Sequence, residues 1–242
     1  MKNGAKIASA VLHEACHNGH LEVVEFLITN GANIEAIDHT ERTPLHSACD
    51  GGHLDVVQYL VKRGARLEKT DKRGWTATHF AANKGDVQII KFLIENGADI
   101  NAMDDKGYSP LFLTMEDLPR HGLQTGASAN GYLKIVEFLI NKGAPINDPD
   151  KHGNTPLDTA IYYEHEEVAA FLIGKGANVN VTNQTGSTPL HTAVSNESFP
   201  IVKLLVEKGA QTDAADNNGC TPLHIAVGHN NFDIVQFLVE KG

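Results

Sequence analysis

Five histidines, His13, His46, His79, His191 and His224, recur at one phase of the chain. Imidazole is the side chain best suited to hold a metal ion or move a proton near neutral pH. The step is 33 residues from His13 to His46, from His46 to His79, and from His191 to His224. A metal site needs its ligands to converge on one ion. Rings on neighbouring repeats would stand roughly 10 Å apart, the spacing of packed helices, and cannot share one. The ladder therefore reads as structural. His17 and His20 lie three apart, but two histidines alone make a poor metal site. The three cysteines, Cys16, Cys49 and Cys220, form no CxxC pair, which argues against a disulfide framework or a zinc site and fits a reducing compartment. Cys16 and Cys49 share their repeat position with Ala82, where a small buried residue is expected; Cys220 falls at an exposed one. No GxSxG, GxxxxGK[ST] or HExxH motif occurs. We therefore expect no catalytic, cofactor-binding or metal-binding residue, no cofactor and no enzyme activity.

The elements that position the ladder follow from its period. Thr43, Thr76, Ser109, Thr155, Thr188 and Thr221 are separated by 33, 33, 46, 33 and 33 residues, and Gly31, Gly64, Gly97, Gly143, Gly176, Gly209 and Gly242 repeat the same steps. The long step is 33 plus an insertion of 13, placed at about 117–129 and expected as a loop because it holds Pro119, Gly122 and Gly126. In each unit a threonine can cap a short helix, and proline suits its first position. Gly52 ends the first helix. A second helix near Leu54–Arg63 shows apolar residues at helical spacing. Gly64 suits a left-handed C-terminal residue. An extended stretch and a turn follow, with Asp38, Asp71 and Asp216 expected to support turns. Such a unit cannot bury its own apolar face and must stack on its neighbours. The predicted fold class is an all-α repeat solenoid of about seven stacked helix-turn-helix plus β-hairpin units of 33 residues.

The residues Thr-Pro-Leu-His at 43–46, 188–191 and 221–224, with "GHLEVVEFLITNGANIEA" at 19–36 and "GADINAMD" at 97–104, resemble the ankyrin repeat family over essentially the whole chain. The resemblance implies a single domain over 1–242, with units near 1–36, 37–69, 70–102, 103–148, 149–181, 182–214 and 215–242. It also implies that the histidine partners the threonine side chain and nearby loop backbone. Departures cluster around the insertion: Thr76-Ala77-Thr78-His79 lacks the proline, Ser109-Pro110-Leu111-Phe112 and Thr155-Pro156-Leu157-Asp158 lack the histidine, and Glu164 replaces a glycine. Ser198 is expected to cap the helix that contains Pro200. Asn101 resembles a hairpin asparagine that some family members present to a hydroxylase, and more simply bonds loop backbone.

The resemblance implies a protein–protein interaction module that binds a partner protein or peptide on a concave face of hairpin tips and first helices. A net charge of −10 disfavours nucleic acid, and no apolar run is long enough to insert in a membrane. Positions that vary between units point to Lys72, Arg73, Trp75 and Lys84 in the third unit, Lys106 and Tyr108 in the fourth, and Lys151, His152, Tyr162 and Tyr163 in the fifth. Aromatic and cationic residues dominate binding hot spots, so the expected partner is an acidic segment with apolar anchors. The expected location is the cytoplasm, or a host cytosol for a secreted effector. Alternatives are the targeting part of a larger enzyme or host-directed effector, and a free-standing enzyme inhibitor. The last unit keeps Ile225, Ile234, Val235 and Leu238 apolar, so self-association through it is also expected.

Overall fold

The computed structural model describes the backbone of residues 2–116 and 126–242, and the side chains of 9–115 and 132–242. The described residues form fourteen helices and no strand. In chain order these are α1 (Lys2–His17), α2 (Leu21–Thr29), α3 (Pro44–Gly51), α4 (Leu54–Lys62), α5 (Ala77–Lys84), α6 (Val87–Glu95) and α7 (Pro110–Glu116). They continue with α8 (Gly126–Asn141), α9 (Pro156–Tyr162), α10 (Glu166–Gly174), α11 (Pro189–Ser195), α12 (Phe199–Glu207), α13 (Pro222–Gly228) and α14 (Phe232–Lys241).

The short first helices begin where the chain places a threonine with extended backbone. Reciprocal capping boxes form at Thr43, Thr76, Thr155, Thr188 and Thr221. Thr76 keeps its box without the proline, because the box needs only its hydroxyl and His79. The second helices end before a glycine in the left-handed region, as at Gly64, with φ of 89°. Consecutive helices pair, and within each compact unit each pair stacks on the next. In the first compact unit, which ends at Ala144, α1, α3, α5 and α7 form one layer and α2, α4, α6 and α8 the other. In the second, Pro145–Gly242, α9, α11 and α13 face α10, α12 and α14. The core is a set of repeated rows: Val24, Val57, Ile90 and Val136 in the first unit, Ala169 and Val202 in the second, all fully buried. Layers approach closely where glycine allows it. A Cβ on Gly51 would collide with the His17 carbonyl oxygen, so the ends of α1 and α3 meet through backbone.

Four expectations need correction. The hairpins are loops without strands: the loop aspartates take the N–H groups that a ladder would use, leaving one closing pair such as Asp71 N–H to the Trp75 carbonyl. Of the insertion, 117–125 lies outside the described residues, whereas 126–129 is helical and begins α8; Ala127 and Ala129 favour helix. Ser198 makes no side-chain cap, and its hydroxyl bonds Glu166 instead. In the last pair Ile234 and Leu238 are buried, because α14 turns that face onto α12 and α13. The apolar side chains it exposes are Val227 (61%), Phe232 (73%) and Val239 (64%).

Among the described residues, the turn between paired helices is left-handed. Gly19, Gly52 and Gly85 occupy it in the first unit, but Glu164, Glu197 and Asn230 occupy it in the second, at φ of 63°, 54° and 55°. A side chain there costs about 1–2 kcal/mol relative to glycine. Glu197 recovers some of this through Asn231 Nδ2 at 3.0 Å. We expect Glu164→Gly to stabilise the fold by about 1 kcal/mol in equilibrium urea denaturation; no gain would mean that relief of strain is cancelled by the added freedom of the unfolded chain.

Candidate partner-binding groove

The inner helices and loops are joined by the histidine ladder. The Thr43 N–H donates to His46 Nδ1 at 2.9 Å, which places the ring proton on Nε2, and Nε2 meets the Lys69 carbonyl at 2.9 Å. The same bridge runs from Thr76 through His79 to Tyr108, and from Thr188 through His191 to Cys220. His13 has no threonine before it, and instead joins Ser47 Oγ to the Ala36 carbonyl. Asp158 substitutes on the cap side alone, accepting from the Thr155 N–H and hydroxyl at 2.9 and 2.7 Å. Burial drives the charge states. It pushes His46 down to about 4 and also lowers His13 and His79, while it raises Asp158 to about 6. Burial also raises the Cys16 thiol to about 12 and the Cys49 thiol further, which suits inert packing residues.

The loops are fixed by aspartate. Asp71 Oδ1 accepts the N–H groups of Arg73 and Trp75 at 2.8 and 3.0 Å. Asp38 and Asp216 act likewise, as expected. Asp104, Asp150 and Asn183 do the same and were missed, although they fall on the repeat step from Asp71. Adjacent loops share single backbone bonds, Lys72 N–H to the Thr40 carbonyl and Asp105 N–H to the Arg73 carbonyl. Asn101 is exposed, and its backbone N–H bonds Asp99. Its repeat equivalent, Asn180, donates from the side chain to the Gly209 carbonyl.

Six of the predicted binding residues lie in the first compact unit. Lys72, Arg73, Lys84 and Lys106 are exposed, and Trp75 and Tyr108 are half-buried. Arg73 is 3.1 Å from Asp71 and stacks 3.8 Å over the Trp75 ring. The Trp75 indole N–H donates to Asp104 at 3.0 Å, and its ring packs edge-on to Phe80. Tyr108 stacks on Phe112 at 5.6 Å, with the Lys106 ammonium 5.4 Å from its ring. The other four lie in the second unit. Lys151 and His152 are exposed at a loop tip, Tyr162 is 55% exposed, and Tyr163 packs edge-on to it. Sequence reasoning overlooked Arg42, which occupies the position of Trp75 and Tyr108 one and two repeats earlier and lies 4.7 Å over the Phe80 ring.

A model of ankyrin repeats in three copies matches residues 3–71, 123–183 and 172–242, and a single ankyrin repeat matches 73–105. The chain belongs to the ankyrin repeat family. No curated protein sequence matches it. Among solved structures, the crystal structure of the human ASB11 ankyrin repeat domain is similar, with a TM-score of 0.80 and 25% identity over 96% of this chain and 97% of that one. Ankyrin repeats are protein–protein interaction modules, and the comparisons indicate no enzyme family. Among the described residues, no helix is long and apolar enough to cross a membrane, and no group of His, Cys, Asp or Glu could hold a metal ion.

The buried groups make the two compact units respond oppositely to acid. His46 titrates near 4 when folded against 6.5 as reference, so its contribution is full above 6.5 and is lost as pH falls toward 4. Asp158 titrates near 6 against 3.8, so its contribution is full below 3.8 and is lost as pH rises through 6. Going from neutral pH to pH 5, we expect opening free energies in α3 to fall by about 2 kcal/mol and those in α9 to rise by about 1 kcal/mol. Residue-resolved hydrogen exchange measures both; changes of one sign in both helices would reject the assignment.

Proposed function

We propose that this ankyrin domain, taken as one array over 1–242, binds a partner protein or peptide along a concave face of inner helices and loop tips. The contact residues are Lys72, Arg73, Trp75, Lys84, Lys106, Tyr108, Lys151, His152, Tyr162 and Tyr163. The observation that carries this reading is a division of labour at the loops. An aspartate or asparagine, joined at some loops by a histidine bridge, holds the backbone, while tip side chains such as Lys72 and Lys151 are exposed. Fixed backbone with exposed, variable tips lowers the entropic cost of association. The cations suit an acidic segment with apolar anchors. Work in a reducing cytoplasm fits three free thiols.

The test is affinity capture with mass spectrometry, followed by titration of the recovered partner. Trp75 is tied into Asp104, Phe80 and Arg73, so its removal would also disturb the fold. Tyr162 is the cleaner probe. Tyr162→Ala should weaken binding by about 2 kcal/mol if it is an anchor. Lys72→Glu should slow association and reduce its salt dependence. Lys203→Ala, exposed on α12, serves as the control. Unchanged affinity in both test variants places the site elsewhere.

A second reading, self-association through the last helix pair, draws on Val227, Phe232 and Val239. The positions equivalent to Val227 are filled by Cys49, Ala82 and Val194, all fully buried. If this face associates, Phe232→Ser should shift the protein toward monomer in sedimentation velocity without loss of stability. Ile234→Lys, at a fully buried site, should instead unfold the last pair.

A further inference from the structure

A cavity of about 700 Å³ opens between α1, α3 and the loop at 37–42, within the first compact unit. Its walls include Glu14, Asp38 and Asp50, with Arg42 as the cation. That cation is already committed. Its Nη1 donates to Asp50 at 3.3 Å, its Nε lies 4.0 Å from Asp71, and its plane covers the Phe80 ring. His13 lines the same space and adds no charge near neutral pH, because burial keeps it neutral. Burial pushes Asp38 up, but hydrogen bonds from Thr40 and Arg42 outweigh it and keep the carboxylate ionised. On the rim, Ile37 is 58% exposed.

One repeat further, the wall changes sign. The loop tip at the cavity reads His39-Thr40-Glu41, and the next reads Lys72-Arg73-Gly74. The two tips touch through the bond from Lys72 N–H to the Thr40 carbonyl. Lys84 stands exposed at the end of α5, on the same repeat as Lys72. Adjacent repeats are roughly 10 Å apart, about three residues of extended chain. A bound segment therefore meets carboxylates and then ammonium groups within a few residues. Reversing it would set like charges against each other, the kind of repulsion that enforces specificity.

We infer, on the basis of the protein-binding reading, that the α1–α3 cavity seats a lysine or arginine side chain of the partner segment, beside an apolar residue on Ile37. The segment's acidic residues then lie over Lys72 and Lys84, which fixes its direction in the groove.

Random dodecapeptides displayed on phage and selected on the full chain test this. The expected winners carry a lysine or arginine within about three to six residues of an aspartate or glutamate, in one constant order. Glu14 is exposed on α1, so Glu14→Lys preserves the fold; it should weaken those peptides about tenfold or more, a loss of about 1.4 kcal/mol. Asp50→Asn should weaken them in the same direction. Peptides that lose binding on Lys72→Glu but keep it on Glu14→Lys and Asp50→Asn would overturn the cavity assignment and leave the binding reading standing. Winners without a shared cation, or with both charge orders, would also overturn it. Failure to select any peptide would remove the binding reading and this inference together.

Discussion

The fold depends on one neutral imidazole used at both ends. In His46, His79 and His191, Nδ1 accepts from a capping threonine and Nε2 faces a carbonyl of the following loop. One side chain thus satisfies a helix end and ties its repeat to the next. The geometry needs one acceptor and one donor on a rigid ring, and histidine supplies that pair only when uncharged. At these three positions a residue type suited to catalytic or metal chemistry has both ring nitrogens engaged in backbone bonds. The ring nitrogens are spent on backbone, and at His46 and His79 burial also disfavours a second proton.

Where the histidine is missing, the bridge changes. Asp158 serves the threonine fully, yet an ionised carboxylate has no proton to give a loop carbonyl. Phe112 has neither donor nor acceptor and stacks on Tyr108 instead. These two substitutions stand in the helix pairs on either side of the division between the compact units, which falls between Ala144 and Pro145. The insertion falls within the first of these pairs, between α7 and the body of α8. The repeat is most regular where the bridge is intact, and it tolerates extra residues where it is not.

Much of this was legible because the constraints repeat. In most periods a threonine and a proline mark the start of the first helix, and a glycine closes the second, by local chemistry alone. The loop aspartates were legible for the same reason. What local chemistry misjudged was tertiary. Ile234 looked like an end face from its position in the last repeat, but which side of α14 turns inward is decided by packing on α12 and α13. The first residues of α8 looked like loop because Gly126 precedes them, yet two alanines let the helix run upstream. The cavity beside Arg42 has no motif. It is assembled from α1, α3 and a loop, each ordinary by itself.

The proposed recognition falls to loop-tip residues rather than to the anchoring ones. Each loop backbone is held from inside by a carboxylate or amide oxygen at Asp38, Asp71, Asp104, Asp150, Asn183 or Asp216. The next two side chains form the tip, and Thr40, Arg73 and Thr185 among them also bond the anchoring side chain. They read His39-Thr40, Lys72-Arg73, Asp105-Lys106, Lys151-His152, Gln184-Thr185 and Asn217-Asn218. Charge and size vary there because the anchoring bonds common to every loop go to backbone N–H groups rather than to a particular tip side chain. Period and motif therefore report the scaffold, whereas the proposed partner contacts depend on the order of charges along the tips. That order becomes physical only once adjacent loops are brought side by side, as Thr40 and Lys72 are by a single backbone hydrogen bond of 3.0 Å.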